Sequence, residues 1–94
     1  MFLEVWTDKF PITFDGLVVE SFVMEGNRWH VTQVNEIKLE QNRKGKWEIT
    51  ISAFPYGGMN GFGIPDNSVP GMQQLIAEVN RVRAERYSLA PVKS

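Results

Sequence analysis

The chain contains no cysteine among its 94 residues, and that absence excludes several chemistries at once. No disulfide can staple the fold, and no thiolate can bind a metal, attack a substrate or cycle between redox states. Histidine occurs once, at His30, so no second histidine or cysteine is present to share a metal with it. Neither sign of charge is in excess: ten Lys and Arg face eleven Asp and Glu, for a net charge of −1. That balance argues against nucleic acid or an anionic membrane as partners held by long-range attraction. No apolar run approaches the roughly 18 residues needed to cross a bilayer. Met1-Phe2-Leu3 is followed directly by Glu4, which lacks the basic-then-apolar layout of a secretion signal, so a cytoplasmic protein is expected. Internal repeats, linkers and low-complexity segments are also missing. One domain over residues 1–86 is expected, followed by a flexible C-terminal tail over residues 87–94.

What is present is an ordinary globular composition, 43% hydrophobic and 22% charged, with one convincing helix. In Ser68–Arg86, Met72, Leu75, Ile76, Val79 and Val82 recur at spacings of three and four and form one apolar stripe. Asn67 or Ser68 is placed to cap its start, and Pro70 fits the first turn. Arg81, Arg83 and Arg86 crowd the last turns, where positive charge complements the helix dipole. A lone helix with one apolar face needs a sheet to lie on.

The preceding residues read as β-strands. Phe2–Trp6, Ile12–Phe14, Leu17–Met24, Trp29–Val34, Ile37–Glu40, Trp47–Ala53 and Asn60–Ile64 are the expected strands. Asp15-Gly16 is a two-residue hairpin signal, Thr7–Lys9, Glu25–Arg28, Gln41–Lys46 and Pro55–Gly58 are further breaks, and Asn35-Glu36 is a short pause. Apolar residues on both faces of Leu17–Met24 predict cover on both sides of that strand for part of its length. Acidic residues dominate positions 1–27 and basic residues positions 28–46, a pattern that could give two faces of opposite sign but for which solvated loops and strand faces are the simpler account.

An α+β, mainly β architecture follows: about seven antiparallel strands in a barrel or sandwich, closed by one C-terminal amphipathic helix. With ITFDGLVVES at the opening, VTQVNEIKLE in the middle, the WEITISAFPYGG hairpin and FGIPDNS before the helix, residues 2–86 resemble the pleckstrin-homology-like domains, more narrowly the small bacterial ones. The resemblance implies a non-catalytic binding or assembly module. Lipid-binding members carry a basic cluster in the first hairpin. Here the corresponding turns hold Asp8-Lys9 and Asp15-Gly16, so the resemblance does not extend to phosphoinositides.

Candidate chemistry is sparse. His30 lacks a grouped nucleophile or orienting acid, and Glu20, Glu36, Glu40 and Glu48 fall on outward strand positions. Pro55–Gly63 is glycine-rich but lacks the Lys-Ser or Lys-Thr of a phosphate loop, and it reads as a wide hairpin. Its Tyr56, Met59 and Phe62 form the first expected contact surface, because binding residues concentrate on loops over a rigid scaffold. Arg43, Lys44 and Lys46 form the second. Trp29 and Trp47 lie in register with apolar strand faces and read as core. No enzyme, cofactor, metal or nucleic acid is expected. The expected partner is another protein or a second copy, reached through a loop or an unpaired strand edge. An acidic-lipid membrane module, and a small ligand-binding or enzymatic barrel using His30, are the alternatives.

Overall fold

A computed structural model describes residues 1–23, 26–55 and 57–94. Met24 and Glu25, read above as a strand end and the start of a turn, lie outside the described residues, as does Tyr56. Seven strands are formed: β1 (Leu3–Trp6), β2 (Pro11–Phe14), β3 (Val18–Ser21), β4 (Asn27–His30), β5 (Val34–Gln41), β6 (Trp47–Ala53) and β7 (Gly58–Ile64). A single 3-10 turn at Asp66–Ser68 leads into α1 (Val69–Tyr87). The strands make two antiparallel meanders, β1-β2-β3-β4 and β5-β6-β7. They do not close into a barrel. The sandwich form of the expectation holds.

Alternation decides which face is buried. Ile12, Phe14 and Val19 of the first sheet and Ile37, Ile49 and Ile51 of the second are at most 1% exposed and share one core. Each contributes about 1.5–3 kcal/mol of hydrophobic free energy relative to exposure. Trp29 is buried and Trp47 is half-buried against the core, as their register implies. Buried Ser21 reaches across the sandwich and donates to the Met59 thioether at 3.3 Å. The sheets also meet where the Asp8 N–H donates to the Gly63 carbonyl at 3.0 Å. The helix adds Met72, Leu75, Val79 and Val82 to the core, with Ile76 at its margin.

Four local expectations change. The β2–β3 turn centres one residue later, on Gly16 and Leu17, because the Asp15 side chain takes the preceding position and accepts the N–H groups of Leu17 and Val18 at 2.9 and 2.7 Å. Ser68 does not cap α1 through its hydroxyl. It already has helical φ and ψ at the end of the 3-10 turn, where its own N–H donates to the Pro65 carbonyl. Cover on both sides of β3 is not found: Val19 is buried, whereas Phe22 beyond the strand end is 46% exposed. Among the described residues, the outer face of the first sheet is open at Glu4, Trp6, Phe22 and Arg28 and closed at Thr13.

The fourth change concerns the C-terminal segment, expected as a flexible tail over residues 87–94. After Ser88 adopts a left-handed conformation, the Leu89 N–H returns to the Arg83 carbonyl and the chain reverses. Val92 becomes 7% exposed within the core, and its N–H donates to Asn80 Oδ1 at 2.9 Å. Lys93 then pairs in parallel with β5 through Asn35 and Ile37. A segment without periodicity docks because one buried valine and two ladder hydrogen bonds hold it.

Candidate functional site

Two of the expected contact residues belong to the core. Met59 and Phe62 stand three apart, so strict alternation would put them on opposite faces. A bulge between the Ile49–Phe62 and Ile51–Met59 pairs restores them to the same, inner face. Gly61, at φ +67°, sits in that bulge and donates its N–H to Thr50 Oγ1. Met59 is consequently 6% exposed, and Phe62 packs edge-on against Phe10 with ring centroids 5.2 Å apart. The exposed-loop reading of Met59 and Phe62 is thus corrected, and Tyr56 lies outside the described residues.

The second expected group is exposed as anticipated. Arg43, Lys44 and Lys46 occupy the β5–β6 loop, which Asn42 shapes by accepting the N–H groups of Lys44 and Lys46 on Oδ1. Among the described residues none of the three cations forms an ion pair. Lys46 also borders a cleft of about 400 Å³ whose other walls include Asp8, Trp47, Glu48 and Asp66. Three carboxylates and one lysine around the tryptophan edge make the lining of this cleft predominantly acidic.

His30 is engaged structurally. Its Nδ1 lies 2.8 Å from Thr32 Oγ1 and its Nε2 3.4 Å from the Tyr87 hydroxyl, with the two rings edge-to-face. These contacts tie the end of β4 to the end of α1. Glu20, Glu36, Glu40 and Glu48 do not converge on it. Among the described residues, no cluster of three or more histidine, aspartate or glutamate side chains is arranged to hold a metal.

Two features escaped the sequence reading. Arg83 is buried on the helix's inner side rather than solvated at its last turns. Its Nη1 donates to the carbonyls of Val31 and Val34, and its Nε to that of Ala90. Burial pushes the guanidinium pKa down, but the three carbonyls receive its charge. Its position directly after Val82 and four residues after Val79 placed it at the edge of the apolar stripe, the one signal available.

The second missed feature is the outer face of the four-stranded sheet. Trp6 pairs with Pro11, and the Phe22 N–H donates to the Pro11 carbonyl, so Trp6, Pro11 and Phe22 lie in one row across the sheet. Trp6 is 52% exposed, and its indole N–H donates to Glu4 on the same face at 3.1 Å. The adjacent row runs Glu4, Thr13, Glu20, Arg28. Glu4 stands at one edge of the face and Arg28 at the other. The alternation of Glu4 and Trp6 against Leu3 and Val5 carried this signal.

Comparison with family models, characterised proteins and solved structures returns no match to the chain. No helix of the described residues is long and apolar enough to cross a membrane.

Proposed function

We propose that the protein is a non-catalytic binding or assembly module of the pleckstrin-homology-like kind, whose principal contact surface is the outer face of the four-stranded sheet. The single observation that carries this reading is the pair of exposed aromatics Trp6 and Phe22, in one row with half-buried Pro11, on a sheet whose other face supplies the core. Large aromatics on a rigid face bury much area at little entropic cost, and they dominate protein contact surfaces. Strand order supports the kinship: a four-strand meander, a three-strand meander and a C-terminal helix.

A photo-crosslinking residue at position 22, with position 74 on the helix's exposed side as control, tests this in producing cells. Protein adducts specific to position 22 are expected. Equal labelling at both positions, or none, overturns the surface assignment.

The exposed cations Arg43, Lys44 and Lys46 favour a second reading, a peripheral contact with acidic phospholipid. Vesicles containing a quarter phosphatidylserine would then sediment the protein at low salt, and an Arg43→Glu/Lys44→Glu variant would remain in solution. Failure of the wild type to sediment ends this reading.

A further inference from the structure

We infer that the occupant of the outer sheet face is a second copy of this chain, stacked face to face with its two-fold axis parallel to the strands. The inference rests on the reading of that face as a contact surface and adds the partner and the register.

The argument is one of charge and symmetry. Across the sheet the order is β1-β2-β3-β4, with Glu4 on one edge strand and Arg28 on the other. Two identical faces stack with two-fold symmetry in two simple ways. With the axis in the plane of the sheets and across the strands, β1 faces β1, and an axis through the charged row sets Glu4 against Glu4 and Arg28 against Arg28. Like charges in register across an interface are strongly unfavourable. With the axis along the strands, each β1 faces the partner's β4. Glu4 of each copy then opposes the other copy's Arg28, and the same rotation brings Pro11 of each copy over the other's Phe22.

The side chains involved are available for this. Arg28 is exposed and holds Glu20 only through Nε at 3.8 Å, which leaves the rest of its fork open to a second carboxylate. Glu4 has no cation of its own among the described residues; its one hydrogen bond is from the Trp6 indole. Thr13, at the middle of the charged row, is 6% exposed beneath its longer neighbours, so the row presents no polar cavity that stacking would strand. The face is small. Four strands of four residues give a footprint of roughly 250–300 Å² on standard strand spacings, which puts the dimer in the weak, concentration-dependent class.

Charge exchange tests the register. Sedimentation of the wild type between about 5 μM and 1 mM is expected to show a monomer–dimer equilibrium with a Kd in the range of about 10–500 μM. Glu4→Lys and Arg28→Glu, each checked for native circular dichroism, should each weaken the dimer about tenfold or more, and the double variant should recover most of the loss. Amide NMR over the same concentrations should move Trp6, Thr13 and Arg28 while leaving Gln74 still. A mass fixed at 10.7 kDa up to about 1 mM overturns self-pairing. A dimer that ignores both reversals, or is not rescued by the double exchange, overturns this register. A strict monomer that still gives foreign-protein adducts at position 22 removes the second copy and leaves the contact surface standing. A strict monomer without such adducts removes both.

Discussion

The guanidinium of Arg83 donates to the Val34 carbonyl at 2.6 Å, and every one of its partners is a main-chain carbonyl. A charge held this way fixes backbone positions instead of neutralising another side chain. Arg83→Ala leaves three carbonyls without their donor and is expected to lower stability by about 2–4 kcal/mol. Arg83→Lys restores only part of this, because an ammonium lacks the planar fork that reaches separated acceptors. Urea unfolding midpoints of the two variants give the comparison.

The carboxylate of Asp15 predicts an acid limb in stability. Hydrogen bonds from the Val18 and Leu17 N–H groups hold its pKa below the ordinary carboxylate value. A folded pKa below the unfolded one means the contribution is complete above about pH 5 and disappears as pH falls through the folded value. The group is exposed, so the contribution is about 0.5 kcal/mol after solvent screening. Asp15→Asn keeps an acceptor oxygen but no charge. Its stability relative to wild type should therefore improve as pH falls from about 5 to 2, read from denaturant midpoints.

Gly58 and Gly61 both have positive φ, but they should respond differently to a side chain. A Cβ at Gly58 would run into the Ile51 carbonyl oxygen, in a backbone region closed to L residues. At Gly61 the space is open and φ is +67°, within reach of asparagine. Gly58→Ala is expected to cost about 3 kcal/mol or more, and Gly61→Ala about 1. Gly61→Asn should cost less than Gly61→Ala. Thermal melts of the three variants rank them.

Removing the C-terminal turn should be costly. Val92→Ala empties a core position and should cost about 1–2 kcal/mol, whereas Lys93→Ala keeps the backbone ladder and should be near neutral. Deletion of residues 88–94 should exceed the valine change, since it also frees the Asn35 and Ile37 backbone groups and leaves Arg83 without Ala90. Amide exchange at Ile37 reports the loss directly.

Strand order, the helix and most of the inner face were legible because period and turn chemistry act locally. Trp47–Ala53 shows alternation without interruption, and it is β6 to the residue. Legibility failed where one residue changes the phase. The bulge beside Gly61 moved Met59 and Phe62 from an imagined loop surface into the core. Arg83 failed for a different reason: its environment is assembled from a turn after β4, the start of β5 and the reversed C-terminal segment, none of which is near it on the helix. The docked tail belongs to the same class, a long-range fit without local periodicity. For the contact surface, residue type led to the glycine-rich segment, whereas the off-phase positions Trp6 and Phe22 carried the exposure.

The Arg83 cluster also constrains the order of assembly. Its Nη1 joins the helix to the Val31 carbonyl, 52 residues earlier in the chain. Until corner, helix and returning terminus have all arrived, burying the guanidinium strands a bare charge, so this end of the sandwich is expected to close after the rate-limiting step. Interactions absent from the transition state act on the return path alone. In stopped-flow measurements Arg83→Ala should accelerate unfolding by nearly its whole equilibrium effect while refolding stays close to wild type, which makes this one side chain a determinant of how long the native state lasts.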